Sequence, residues 1–112
     1  MASSDLLQGT LEMLVLTTLS REPMHGWGIS IRLREMSGQV LDVNQGSLYP
    51  ALQKMLRQGW VRSEWRVTEN NRRARYYAIT REGRRHLEHE MAEWRRSSGA
   101  VNAVLRFAFQ GG

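Results

Sequence analysis

Three arginines within four residues, Arg72-Arg73-Ala74-Arg75, are the side chains best suited to bind a polyanion. A planar guanidinium can donate two parallel hydrogen bonds to one phosphate group, whereas a lysine offers only a point charge. The preceding residues, 68–71, are Thr-Glu-Asn-Asn and are typical of a turn, because asparagine tolerates the left-handed conformation. We therefore expect Arg72, Arg73 and Arg75 at a hairpin tip, in contact with phosphates or a narrow minor groove. A basic, solvated hairpin is the alternative.

A second surface with donor groups is predicted between residues 44 and 58. At about 100° per residue, the large aliphatic side chains fall on one helical face: Leu48, Leu52, Met55 and Leu56. The opposite face and its flanks carry small or donor-rich residues and no acid: Gly46, Ser47, Tyr49, Pro50, Gln53, Lys54 and Arg57. Such a face could enter the major groove of DNA. Tyr49 would then contact DNA, or else pack beside the preceding helix.

Metal binding and catalysis receive little support from the residues. His86 and His89 stand three residues apart with Glu90 and Glu93 nearby, a spacing that could chelate a metal, but the His-Glu-x-x-His order is absent. We expect these residues to be a solvated part of a helix. The chain has no cysteine, no glycine-rich phosphate loop and no spacing typical of a Ser/His/Asp triad. The expectation is a protein that is not an enzyme and has no metal and no cofactor.

The charge distribution favours a polyanionic partner. The 112 residues carry a formal charge of +5, and fifteen of the sixteen basic residues are arginines. Up to residue 60 the charges balance, whereas beyond it eleven arginines face six glutamates. No apolar stretch is long enough to span a membrane and the first residues lack a basic signal region, so we expect a soluble, cytoplasmic protein.

The order of predicted elements is that of a winged helix-turn-helix. Helices are expected at about residues 5–20, 25–36 and 44–58, then hairpin strands at 61–67 and 74–79, and a long helix capped by Thr80. The fold class is thus mainly α with a small β-hairpin. Residues 1–79 would form the DNA-binding domain, with its third helix in the major groove, and residues 80–112 a C-terminal dimerisation helix.

A heptad stripe of mostly apolar residues on the long helix predicts a homodimer. It consists of Leu87, Met91, Trp94, Ser98, Val101, Leu105 and Ala108. Three short helices and a hairpin leave little room to cover this stripe, and the first helix is apolar on two faces. The expected interface is Leu7, Leu11, Leu87, Met91, Trp94, Val101 and Leu105. Burial within a single chain is the alternative.

Two further residues carry weaker expectations. A pair of Trp94 indoles near the two-fold axis could wall a pocket for a flat small-molecule effector, or could simply anchor the interface. His25, at the start of the second helix, could donate to a phosphate, because helix N-termini attract anions. A local capping role is the alternative for His25.

Several motifs resemble the PadR family of bacterial transcriptional regulators. They are the segments at residues 6–11 (LLQGTL), 25–27 (HGW), 46–52 (GSLYPAL), 59–61 (GWV) and 77–84 (YAITREGR). The similarity extends over about residues 5 to 87, and the short C-terminal region is similar to the branch with one dimerisation helix. Where the family most often has tyrosine and an aliphatic residue, this chain has Trp27 and Trp60, which we interpret as exchanges within the core.

The resemblance implies a homodimer, usually a repressor, that binds double-stranded DNA at an inverted-repeat operator. It also implies release by a small molecule or another signal. The matching recognition-helix positions are Gly46, Ser47, Tyr49, Pro50 and Lys54, and the matching wing positions are Arg72, Arg73 and Arg75. The competing hypothesis is a winged-helix protein–protein module whose basic wing binds an acidic partner.

Overall fold

The structure, a computed structural model, describes the backbone of residues 2–110 and the side chains of residues 9–110. Its elements are α1 (Ala2–Leu19), β1 (Met24–His25), α2 (Gly26–Met36), α3 (Gln45–Arg57), β2 (Val61–Val67), β3 (Arg73–Ile79) and α4 (Arg81–Phe109). The predicted fold class, mainly helical with a small sheet in a winged-helix arrangement, is confirmed.

The core lies where α1, α2 and α3 meet the base of the sheet. Each element contributes apolar residues at its own period, and the fully buried ones include Leu16, Ile29, Leu48, Leu52, Met55 and Tyr77. Leu11 and Leu14, from the second apolar face of α1, pack against this core and are partly buried. Both faces of α1 therefore find contacts within the chain.

The sheet has three antiparallel strands in the order β1-β3-β2, one more than the predicted hairpin. The additional strand, β1, pairs Met24 with Tyr77 and His25 with Tyr76. Two residues are too few to show an alternating pattern, so the sequence could not reveal this strand. The strand β3 also begins earlier than expected, so that Arg73 and Arg75 belong to it and only Arg72 lies in the turn. The predicted loop tip of three arginines is corrected accordingly.

The start of α4 is fixed to the turn between α3 and β2. The Thr80 hydroxyl caps α4 by accepting from the Gly83 amide, as predicted, and donates to the Gly59 carbonyl at 2.6 Å. The Thr80 amide donates to the Trp60 carbonyl at 3.0 Å. A Cβ atom on Gly83 would overlap that same carbonyl oxygen, so glycine is required for this close approach.

The remainder of α4 extends away from the core. Its 29 residues correspond to about 44 Å of helix, and the molecule measures 59 × 28 × 27 Å. Leu87 is buried in the core, which corrects the expectation that it faces a second chain. Every described residue from 99 to 110 is exposed. The half of α4 beyond the core therefore offers an open surface.

Candidate nucleic-acid interface

The outward face of α3 is built as the helical period requires. Leu48, Leu52 and Met55 turn into the core, and this leaves the opposite side in solvent. Its exposed residues are Gly46, Ser47, Tyr49, Pro50, Gln53 and Arg57. The Asn44 side chain caps the helix by accepting from the Ser47 amide at 2.8 Å. The result is a low, acid-free surface with hydroxyl, amide and guanidinium donors.

Lys54 departs from the prediction. Its amine lies 2.8 Å from the Glu12 Oε2 atom, at the flank of α3 that faces α1, and the Glu12 side chain is only 4% exposed. The Lys54 side chain itself is 40% exposed. The expected free cation on the outward face is therefore corrected to an ion pair with a buried carboxylate.

The wing places two arginines around an aromatic ring. Trp65 of β2 lies across from Arg75, whose guanidinium is 5.9 Å from the indole centroid, and that of Arg73 is 5.2 Å away. The Arg75 Nε atom also donates to the Ser63 hydroxyl at 2.9 Å. Arg72, at the turn, is exposed. The wing arginines are thus partly held in place before any ligand binds.

Trp65 was not among the predicted site residues. Trp65 lies on the same side of β2 as the buried Val61, because side chains alternate along a strand. The strand, however, continues past the edge of the core, and the indole is 57% exposed. An indole at the end of a strand whose partner carries arginines is the signal that could have identified it.

The Tyr77 phenol on β3 is buried. Burial raises the pKa of the Tyr77 phenol, the Tyr49 phenol raises it further, and the Arg75 guanidinium lowers it. α3 packs against β2, so the elements that carry the two predicted DNA-binding surfaces are neighbours in the fold.

His25 caps α2. Its Nδ1 atom accepts from the Gly28 amide at 3.0 Å, and its ring makes an edge-to-face contact with Tyr76. Because Nδ1 accepts this bond, the Nε2 atom of the neutral ring carries the proton and is a donor. His25 therefore has the local capping role, and a phosphate contact through Nε2 stays a prediction.

The two tryptophans interpreted as core exchanges differ from each other. Trp60 is partly buried and packs against the core, whereas Trp27 on α2 is 64% exposed. The expectation is thus corrected for Trp27. Its indole borders a groove of about 640 Å³ between α2 and the wing, which Ile31, Arg66 and Tyr76 also line.

His86 is less solvated than expected. Its imidazole is stacked on the Trp60 indole, and its Nε2 atom lies 3.6 Å from the Glu90 carboxylate and 4.0 Å from that of Glu12. Within the described part of the chain, no group of three histidine, cysteine or acidic residues is placed to hold a metal ion.

The residues of the predicted dimer surface fall into three groups. The side chain of Leu7 lies outside the described residues. Leu11 and Met91 are partly buried against the chain's own core. Trp94, Val101 and Leu105 are exposed. Trp94 also borders a crevice of about 130 Å³ between α1 and α4, together with Met13, Glu90 and Ser97.

No helix in the described range, residues 2–110, combines the length and hydropathy needed to span a membrane.

Residues 15–89 match the model of the PadR-like family of transcriptional regulators. Among solved structures, a PadR family transcriptional regulator from Eggerthella lenta is 33% identical with a TM-score of 0.74, the alignment covering 93% of this chain and 91% of that one. A PadR-like regulator from Bacillus cereus is 29% identical with a TM-score of 0.75, covering 90% and 96%. An uncharacterized transposon protein from Streptomyces fradiae is 37% identical over 80% of this chain, which spans 24% of that protein's length.

Proposed function

The chain belongs to the PadR-like family of transcriptional regulators, and from this premise we propose that it is a homodimeric repressor of an inverted-repeat operator, released by a small-molecule effector. The family and the fold make it a DNA-binding regulator; the sites, the assembly and the mode of release are our proposal. The observation that carries the proposal is the exposed, acid-free face of α3, a helix that packs against the strand β2 of the arginine-bearing wing.

In this proposal α3 reads base edges in the major groove. Gly46 and Pro50 have small side chains, which would let the helix approach the base edges closely. Tyr49, Gln53 and Arg57 have longer side chains that supply hydrogen-bond donors. Gln53 is suited to adenine and Arg57 to guanine, the pairings that side-chain geometry favours. Ser47, in the first turn of α3, would contact a phosphate, because helix N-termini attract anions.

The wing then contacts the sugar–phosphate backbone or the adjacent minor groove. Arg72, Arg73 and Arg75 provide three charges, two of which are held near the Trp65 ring. Phosphate contacts of this kind position the protein and carry little sequence information. His25 would add one donor through its Nε2 atom.

A second copy of the chain would cover the open half of α4. Trp94, Val101 and Leu105 are each exposed by 44% or more. Exposure of apolar side chains to water is unfavourable, and the same apolar stripe of a second α4 helix would bury them. In functional terms, residues 1–79 would be the DNA-binding part and residues 80–112 the dimerisation helix. Two α3 helices could then occupy half-sites about 34 Å apart.

An effector would bind beside Trp94. The crevice between α1 and α4 is too small for a drug-sized molecule on its own, because such sites measure about 300–1,000 Å³. Two crevices joined across the dimer axis would provide a larger, aromatic-walled pocket. An effector there would change the angle between the α4 helices and with it the spacing of the α3 helices.

Selection and sequencing of genomic fragments bound by the full chain tests the proposal. We expect an inverted repeat bound at least about a thousandfold more tightly than random DNA, the low end for specific binders.

Replacement of Arg72, Arg73 and Arg75 by alanine should weaken binding to all sequences and reduce the slope of log affinity against log salt by about 0.9 for each phosphate no longer neutralised. Arg21→Ala removes one exposed charge that belongs to neither the α3 face nor the wing, and it is the control for loss of a single charge. Absence of a preferred fragment at every salt concentration would instead support the protein–protein module.

A further inference from the structure

A buried carboxylate joins the three helices α1, α3 and α4. Glu12 of α1 is nearly inaccessible, and its two oxygens face different partners. One oxygen lies 2.8 Å from the Lys54 amine of α3, and the other lies 4.0 Å from His86 Nε2 of α4. Burial of an ionised carboxylate is costly unless it is paired, so Glu12 requires a cation at this place.

Lys54 is the cation that meets this requirement. Burial lowers the pKa of the His86 imidazole below its ordinary value, and this favours the uncharged ring near neutral pH. The Lys54 amine is then the charge that Glu12 needs, and it is held towards α1. The positive charge of Lys54 is thereby neutralised within the protein.

We propose that Glu12 is a positioning residue of the DNA interface, which holds Lys54 against α1 and excludes its charge from the contact with DNA. The proposal rests on the proposed function, because it assumes that α3 faces DNA. Two consequences follow: Lys54 sets the orientation of α3 rather than neutralising a phosphate, and the charges that displace counterions from DNA come from other residues.

The dependence of DNA affinity on salt distinguishes this role from a DNA contact. Each protein charge that neutralises a phosphate contributes about 0.9 to the slope of log affinity against log salt concentration. A lysine already paired with Glu12 contributes nothing, whereas a lysine released from Glu12 contributes its full share. A merely structural role for Glu12 would change the stability of the protein and leave the slope unaltered.

Three variants of the full chain provide the test, with fluorescence anisotropy on a selected fragment and on a random duplex over a range of salt concentrations. Glu12→Gln releases the lysine, so we expect a slope steeper by about 0.9, tighter binding to random duplex and a smaller cognate-to-random ratio. The double variant Glu12→Gln with Lys54→Met removes both charges and should keep the wild-type slope. Arg57→Met, on the exposed face of α3, should lower the slope by about 0.9 and serves as the control for a true contact.

The outcomes separate the two proposals. A double variant whose slope falls by about 0.9 would show that Lys54 contacts DNA and would overturn the positioning role. So would a Glu12→Gln protein whose slope and cognate-to-random ratio equal those of the wild type. If Glu12→Gln does not fold, as thermal unfolding would reveal, the double variant decides alone. Failure of the wild-type protein to prefer any fragment would instead overturn the proposed function.

Discussion

The Trp60 indole and the His86 imidazole are stacked, with ring centroids 3.5 Å apart and planes inclined by 11°. Trp60 follows the end of α3, and His86 lies in the second turn of α4. The hydrogen bonds of Thr80 to the Gly59 and Trp60 carbonyls fix the same two segments. These contacts join the end of α3 to the start of α4.

Stability should fall when the solution is acidified. Burial is the largest influence on the pKa of His86 and lowers it; Glu90 and Glu12 raise it, and His89 and Lys54 lower it, with a net decrease. The unfolded chain then binds a proton at a higher pH than the folded chain. The free energy of unfolding therefore decreases as the pH falls from about 6.5 through the lower pKa of the folded state.

Thermal unfolding at a series of pH values between about 8 and 5 measures this effect. His86→Gln should lose part of the decrease in melting temperature, whereas His89→Gln, three residues further on at an exposed position, should keep it. Identical pH profiles for wild type and His86→Gln would contradict the assignment.

Gly83→Ala should destabilise the protein by about 1–3 kcal/mol, because the added Cβ overlaps the Trp60 carbonyl oxygen and backbone must shift. Gly99→Ala, on the same helix with open space around it, should be neutral or stabilising by up to about 1 kcal/mol. Chemical denaturation of both variants gives the comparison. Equal effects in the two would refute the close contact between Gly83 and Trp60.

Trp65→Leu should weaken DNA binding about 5- to 30-fold without changing its salt dependence. The substitution removes no charge but releases two arginines from a ring contact worth about 0.5–1 kcal/mol each at an exposed site. Trp65→Tyr keeps a ring and should retain most of the affinity. Binding curves for the two variants on one operator fragment test this, and equal loss in both would argue against a role for the ring.

Leu105→Asp should convert the proposed dimer into monomers, because a carboxylate would be buried between the two α4 stripes. Ala103→Asp, on the opposite side of α4, adds the same charge and should leave the dimer intact. Light scattering after size-exclusion chromatography reports the mass. A wild-type monomer, or a dimer in both variants, would count against this interface.

Local signals were sufficient to predict most of the fold. The Thr80 cap, the turn at Asn71 and the apolar face of α3 all depend on interactions between residues close in sequence. The order of these elements predicted a winged helix, and the resemblance named its family. The two-residue strand β1 was missed because it is identified by its pairing with β3, about fifty residues further along the chain.

Tertiary contacts account for what the sequence could not predict at the site. The helical period placed Lys54 near the outward face, but nothing in the spacing showed that Glu12, on another helix, would bind its amine. In the same way, Trp27 was assigned to the core on residue type, although its place on α2 leaves it exposed. Residue type predicts a preference for burial, and only the packed structure decides which positions can satisfy it.

α4 is one continuous helix, so the distance between two points along it follows directly from the number of residues between them. Between its fixed first turn at Thr80 and the exposed Trp94, a helix rises roughly 21 Å. In the proposed dimer, each residue added to or removed from that stretch would move the DNA-binding part of a chain by about 1.5 Å along the helix axis and rotate it by about 100°. In that proposed dimer, the number of residues in this segment would set the spacing of the operator half-sites that the two α3 helices could contact.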